Sequence, residues 1–269
     1  MAFHYTSLEQ LVAPYGQIVL SPHLDDAALS LGGMLASQAA CGRPTLVLNV
    51  CTGRPDLTVP LSPFAAAMHA RWGLDAHEVL VRRLAEDEAA FEILGIDSYQ
   101  LDQLDAIYRL PTAYYDNPTL FGAVDPADPL QTSLLAHLQQ LHARYPQAVI
   151  YAPLAVGKHV DHQIAYAAAK ALAAQGASVA FYEDFPYVAE AGALEARLED
   201  LGGPARFTAV PTPFEPSALA RKIAAIEAYA SQLGTLFGDA ATMRTAVTAQ
   251  ASRHATTPDT YLERIWIAQ

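Results

Sequence analysis

The chain has 269 residues, of which 52 % are hydrophobic and 16 % charged, and it carries a formal net charge of −12. That length suits one substantial α/β domain or two small ones, and the apolar share indicates a filled core rather than a disordered chain. The acidic balance argues against nucleic acid or an anionic membrane as partner, because either would need clustered Lys and Arg. No stretch approaches the roughly 18 apolar residues that span a bilayer. His4, Glu9 and Pro14 interrupt the start, which lacks the basic segment and apolar run of a signal peptide. The expectation is a soluble cytoplasmic protein. Cys41 and Cys51 form no metal or redox motif and read as small buried residues in a reducing compartment, with a disulfide as the lesser alternative.

In chain order, residues 17–21 (QIVLS) are a short apolar run bounded by Gly16 and Pro22, which predicts a buried strand. A helical pattern follows over 26–40 and is closed by Gly42 and Pro44. A second buried strand is predicted over 45–51, then a charged amphipathic helix over 76–95 and a weaker strand over 98–101. The stretch 105–128 contains Tyr108, Tyr114 and Tyr115 with little periodicity, and reads as a long functional loop. The remaining pattern gives a helix over 130–144, a strand over 148–152, a helix over 161–175 and a strand over 178–182. A strand at 206–210, a helix at 215–233 and a strand at 261–267 complete it.

Strands alternating with helices predict an α/β fold: a single-domain, Rossmann-like, doubly wound and mostly parallel sheet with helices on both faces, covering 1–269. Such sheets bind ligands at the carboxyl ends of their strands. Two groups of polar residues follow directly after predicted strands.

The first is Ser21-Pro22-His23-Leu24-Asp25-Asp26. Adjacent carboxylates repel each other unless a cation or strong donors lie beside them. Asp26 alone could be a helix cap, and His23 alone a structural histidine. The second is His159-Val160-Asp161-His162, where Asp161 could likewise be a cap. Jointly these readings lose force, because both strand ends present imidazole and carboxylate where the fold places its sites. Two imidazoles and one carboxylate make a three-ligand zinc set with a position open for water. A further carboxylate and histidine remain to act as base and acid.

These motifs resemble those of the LmbE-like, or PIG-L, zinc deacetylases, whose members include enzymes of the GPI-anchor, mycothiol and bacillithiol pathways and teicoplanin-type glycopeptide deacetylases. Pro22-His23-Leu24-Asp25-Asp26-Ala27 stands for the family's PHPDDE-like turn, and His159-Val160-Asp161-His162 for its HxDH. The resemblance implies metal ligation by His23, Asp26 and His162, with Asp25 as general base. His159, oriented by Asp161, would be acid or oxyanion stabiliser. Arg83-x-x-Glu86 with Leu94-Gly95, Asp105, Lys222 through Ser231-Gln232, and Glu263-Arg264-Ile265-Trp266 are similar to further family segments. Arg83 and Asp105 are thereby candidates for binding sugar hydroxyls. Leu24 and Ala27 depart from the common pattern, and the PHLDDA form is similar to that of the glycopeptide-deacetylase branch.

The function so implied is zinc-dependent removal of an N-acyl group, acetyl in the first instance, from a small-molecule amino-sugar conjugate, with Fe2+ as an alternative metal. Tyr108, Tyr114, Tyr115 and Phe121 are candidates for an aromatic rim, and Tyr182-Glu183-Asp184-Phe185 for lining the pocket. Two other readings stand beside this one: a non-catalytic Rossmann-like nucleotide- or sugar-binding module, and a metal-dependent deacylase of a non-sugar amide. Against the first, no G-x-G-x-x-G follows the first strand, and Gly32-Gly33 lies inside a predicted helix, where it cannot cradle a phosphate.

Overall fold

The computed structural model describes residues 2–73, 78–257 and 259–269. Eight strands form one sheet: β1 (His4–Tyr5), β2 (Gln17–Ser21), β3 (Thr45–Asn49), β4 (Asp97–Gln100), β5 (Val149–Pro153), β6 (Val179–Tyr182), β7 (Phe207–Phe214) and β8 (Tyr261–Ala268). The helices are α1 (Asp26–Ala40), α2 (Pro63–Trp72), α3 (Glu78–Leu94), α4 (Ala106–Arg109), α5 (Asn117–Leu120) and α6 (Leu130–Arg144). They continue with α7 (Val160–Ala173), α8 (Ala193–Asp200), α9 (Pro216–Ala228), α10 (Ala230–Phe237) and α11 (Ala240–Ser252). None is long and apolar enough to cross a membrane.

The strand order is β1-β4-β3-β2-β5-β6-β8-β7, parallel from β1 to β6 and antiparallel at β8 and β7. All five residues of β3 are buried, as expected for a parallel strand covered on both faces. Helices α1, α3 and α9 pack together as one group, and α6 with α7 as another. Successive strands run outward in one direction from β2 through β3 to β4, and in the other from β5 to β6. The order therefore reverses between β2 and β5, and a crevice opens at the carboxyl ends of these two neighbours. Both polar motifs leave the sheet there.

Several sequence expectations are corrected by packing. Residues 76 and 77 of the helix expected over 76–95 lie outside the described residues; 78–94 form α3, and Gly95 ends it with φ +72. The helix expected over 215–233 is two helices, broken at Tyr229 (φ −79, ψ 55). The buried Tyr229 hydroxyl donates to Asp87 Oδ1 at 2.7 Å, and Glu86 accepts from the backbone N and Oγ of Ser231 at 3.0 and 2.6 Å. A carboxylate from α3 thus satisfies orphan donors at the start of α10, which compensates for the break. The strand expected to stop at 210 runs on through Pro211 and Pro213, because β7 is an edge strand and proline's missing donor costs nothing on an open edge. Cys51 is buried as expected, but Cys41 is exposed, and both are free.

The segments outside the two motifs turn out to be partners of one another. Lys222 Nζ donates to Glu263 Oε1 at 2.7 Å, and the same carboxylate accepts from the backbone N of Gly33 and Met34 at 2.9 and 2.8 Å. This joins α9 and β8 to the middle of α1. A side chain at Gly33 would run into the Phe214 ring of β7, so glycine is required there by close approach.

Candidate active site

The turn after β2 is fixed by its own side chains. Ser21 Oγ donates to the carbonyl of His23 at 2.6 Å and accepts from the backbone N of Ala27 at 3.1 Å. The His23 N–H donates to Asp26 Oδ2 at 2.7 Å. The same Asp26 oxygen lies 3.5 Å from His23 Nδ1 and 3.2 Å from His162 Nε2. Donors held about 2.1 Å from a tetrahedral ion stand about 3.4 Å apart, so the spacing is that of a ligand set.

His162 supports that reading independently. In the first turn of α7 its Nδ1 lies 2.7 Å from Asp184 Oδ1. Its Nε2 is buried and has no hydrogen-bond partner among the described residues, although Asp26 is in ionic contact. An imidazole held by a carboxylate on one nitrogen and offering the other is the usual arrangement of a metal-binding histidine. Burial disfavours the His162 cation, but Asp26 and Asp184 outweigh it and hold the pKa well above the ordinary value. Burial likewise opposes the Asp26 charge, yet the His162 and His23 imidazoles hold its pKa down at about 2. The donor set therefore fits a divalent cation. Ring nitrogens of His23, His159 and His162 also lie within 4.8 Å of one another, which brings His159 to the same place.

Asp25 is almost fully buried, with Arg83 Nη2 at 4.0 Å from its Oδ1. Burial raises its pKa, against the pull of Arg83. Arg83 itself lies over the Trp72 ring, 5.5 Å from its centroid. Asp105 caps the backbone N of Ile107 at 3.1 Å and leaves Oδ2 3.6 Å from His23 Nε2.

The expected pairing of Asp161 with His159 takes a different form. Asp161 Oδ2 lies 3.9 Å from His159 Nδ1, but 3.1 Å from His23 Nε2. Its other oxygen accepts from Arg109 Nη2 at 2.6 Å. His159 Nδ1 instead accepts from the backbone N–H of Asp161 at 3.2 Å, which leaves the proton of the neutral ring on Nε2. Burial and the nearby His23 charge push the His159 pKa well below the ordinary value. In this geometry His159 is a neutral donor, and Asp161 serves His23.

Arg109 is the functional residue that sequence reasoning missed. Its guanidinium clasps Asp128 by two bonds of 2.7 Å and reaches Asp161 at 2.6 Å, with only 5 % of the side chain exposed. One signal could have found it: Arg109 is the only Lys or Arg between 84 and 143, in a stretch with Asp102, Asp105, Asp116, Asp125 and Asp128.

A cavity of about 260 Å³ opens above these groups and is lined by His23, Asp25, Asp26, Arg83, Asp105 and His159. The expected aromatic rim is corrected: Phe121 lines the cavity, with Trp72 and Tyr187. Tyr114 is buried with its hydroxyl donating to Asp128 at 2.9 Å, Tyr115 is exposed, and Tyr108 packs in a satellite core with Ile107 and Val160. The 182–185 segment lies behind the wall, where Glu183 accepts from Trp266 Nε1 at 3.0 Å and Asp184 holds His162.

The chain resembles known proteins in both sequence and fold. The chain is 32 % identical over 183 residues to the 2'-N-acetylparomamine deacetylase of Niallia circulans, covering 62 % of this chain and 66 % of that protein, a little under two thirds of its length. A crystal structure of a deacetylase in the teicoplanin biosynthesis pathway superposes with a TM-score of 0.77 at 29 % identity, covering 94 % of this chain and 98 % of the other. The zinc-inhibited form of teicoplanin deacetylase Orf2 gives 0.76 at 27 % identity over the same shares. The family model described as PIG-L, GlcNAc-PI de-N-acetylase, matches residues 18–173, a span that runs from β2 through α7 and contains both polar motifs. By its fold, its two strand-end motifs and this match, the chain belongs to the PIG-L family.

Proposed function

We propose that the chain is a metal-dependent amidohydrolase that removes an N-acetyl group from an amino-sugar conjugate, acting as one domain over 1–269. The observation that carries this reading is the convergence of His23 Nδ1, Asp26 Oδ2 and His162 Nε2 at ligand spacing beneath a cavity that Asp25 also lines. The relatives named above are deacetylases of N-acetylparomamine and of the teicoplanin pathway.

His23, Asp26 and His162 would hold the ion, zinc in the first instance and Fe2+ as an alternative. When bound, such an ion polarises the acyl oxygen and lowers the pKa of water towards 7. Asp25, kept basic by burial and steadied by Arg83, takes the proton from the attacking water. His159 donates its Nε2–H to the negative charge that develops on the acyl oxygen. Asp161, anchored by Arg109, accepts from His23 Nε2 and so fixes which face of that ring meets the ion. Arg83 and Asp105 bind sugar hydroxyls at the cavity wall. An apolar wall of Trp72, Phe121 and Tyr187 suits one face of a pyranose or an attached ring.

The test is release of free amine from a panel of N-acetylglucosamine conjugates by the full chain loaded with zinc or with Fe2+, alongside N-acetyl amino acids. Turnover of the sugar conjugates alone is expected. Turnover restricted to the amino acids would make this a non-sugar deacylase, and binding without turnover would make it a sugar-binding module.

A second expectation concerns His159. His159→Ala should retain the metal and lower kcat on the order of 10²–10³-fold, the usual loss for one donor to an oxyanion. Because burial keeps the ring neutral, the loss should be the same at every pH above neutrality. A loss confined to the acid side would show that the imidazolium is the active form, and loss of metal would make His159 a ligand.

A further inference from the structure

The opposite nitrogen of the His23 ring faces a second group of donors. Nε2 lies 3.1 Å from Asp161 Oδ2 and 3.6 Å from Asp105 Oδ2. The Cys51 sulfur joins them: one donor atom each from His23, Cys51 and Asp161 lie within 4.8 Å of one another. These residues leave the sheet at neighbouring strand ends, His23 after β2, Cys51 after β3 and Asp105 after β4, while Asp161 opens α7. The Asp105 oxygen that caps Ile107 is Oδ1, so Oδ2 is available. Asp161 meets Arg109 through Oδ1; its Oδ2, which accepts from the backbone N of Ala106 at 3.2 Å, faces the group with its remaining lone pair. A tetrahedral zinc with bonds of about 2.0–2.3 Å sets its donors about 3.3–3.7 Å apart; the Asp105 spacing falls inside that range and the Asp161 spacing just below it.

We propose that Cys51, His23 Nε2, Asp161 and Asp105 form a second metal site that takes a thiophilic divalent ion, with the His23 ring bridging it to the first. A thiolate selects cadmium or zinc over magnesium or calcium. To bind, Cys51 releases its thiol proton and His23 its Nε2 proton, both to solvent, and the ring becomes a bridging imidazolate. That second deprotonation makes this site weaker than the first, so it fills when metal is in excess. Once filled, it takes Asp105 from the cavity wall and sets a second positive charge beside the first, which inhibits. The inhibition rests on the hydrolase reading above; the binding does not.

The test uses the full chain in a Cys41→Ser background, so that Cys51 is the only thiol of a chain with two cysteines. Metal-free protein is titrated with cadmium alone, reading ions bound per chain and the ultraviolet thiolate-to-cadmium charge-transfer band. Two ions and a band are expected, against one ion and no band after Cys51→Ser. Asp105→Asn, which keeps the cap on Ile107, should retain the band but weaken the ion that produces it by at least about tenfold. One ion per chain without a band before Cys51→Ser overturns the site, as does a second ion that survives Cys51→Ser. An unchanged affinity in Asp105→Asn removes Asp105 from the ligand set. With zinc, inhibition at excess metal should vanish in Cys51→Ser. If no substrate is turned over while two ions still bind, the hydrolase reading fails and the site stands.

Discussion

Asp25→Asn is expected to lower turnover by roughly 10²–10⁴-fold while leaving the metal bound, because the amide keeps the shape of the side chain but cannot accept the water's proton. Asp25 is poised for that work by two opposed influences: burial raises its pKa, and the Arg83 guanidinium at 4.0 Å pulls it back. A base must be deprotonated to act, so kcat/KM should fall as the pH drops through the Asp25 pKa. That acid limb should disappear in Asp25→Asn along with most of the rate. Metal content and initial rates measured on the same sample decide the matter. Loss of metal would make Asp25 a ligand rather than a base, and undiminished activity would transfer the role to another group.

Arg109→Leu should destabilise the protein by roughly 3–5 kcal/mol, the cost of leaving buried charges without their partner. Two carboxylates are stranded by it: Asp128 loses both bonds of the guanidinium fork, and Asp161 its 2.6 Å contact. Neither Asp128 nor Asp161 has any side-chain exposure, so water cannot replace what is removed. Chemical denaturation at neutral pH measures the effect. Arg109→Lys should recover part of it, because one ammonium restores the charge but cannot bind Asp128 by two bonds and reach Asp161 as well. A loss below about 1 kcal/mol would mean that the pair contributes no more than a surface salt bridge.

Much of the fold and the nucleus of the site were legible in the sequence, because both are written in local pattern. The strand at 17–21 and the helix at 26–40 stand where their apolar runs and closing Gly42 and Pro44 put them. The alternation of strands and helices, together with polar residues directly after strands, points to the carboxyl edge of the sheet. What sequence alone misjudged lies where packing overrides pattern. The strand expected over 206–210 runs on through prolines 211 and 213, which on an open edge cost no sheet bond. Residues 215–233 carry one helical period, yet the Tyr229–Asp87 and Ser231–Glu86 bonds divide them into two helices.

By itself, then, the sequence determined the α/β class, the two motifs and the chemistry open to His23, Asp25, Asp26, His159 and His162, since these follow from residue type and from spacing along the chain. Only the tertiary structure decided which partner each group has. It sent Asp161 to His23 and Arg109 rather than to His159, put Asp184 behind His162, buried Tyr114 away from the cavity and brought Cys51 within 4.8 Å of a His23 ring nitrogen. The physical reason is the same in each case. A buried charge or donor must find its complement wherever the fold supplies one, and here the complement lies from 14 to 138 residues away in the chain, beyond the reach of any local pattern.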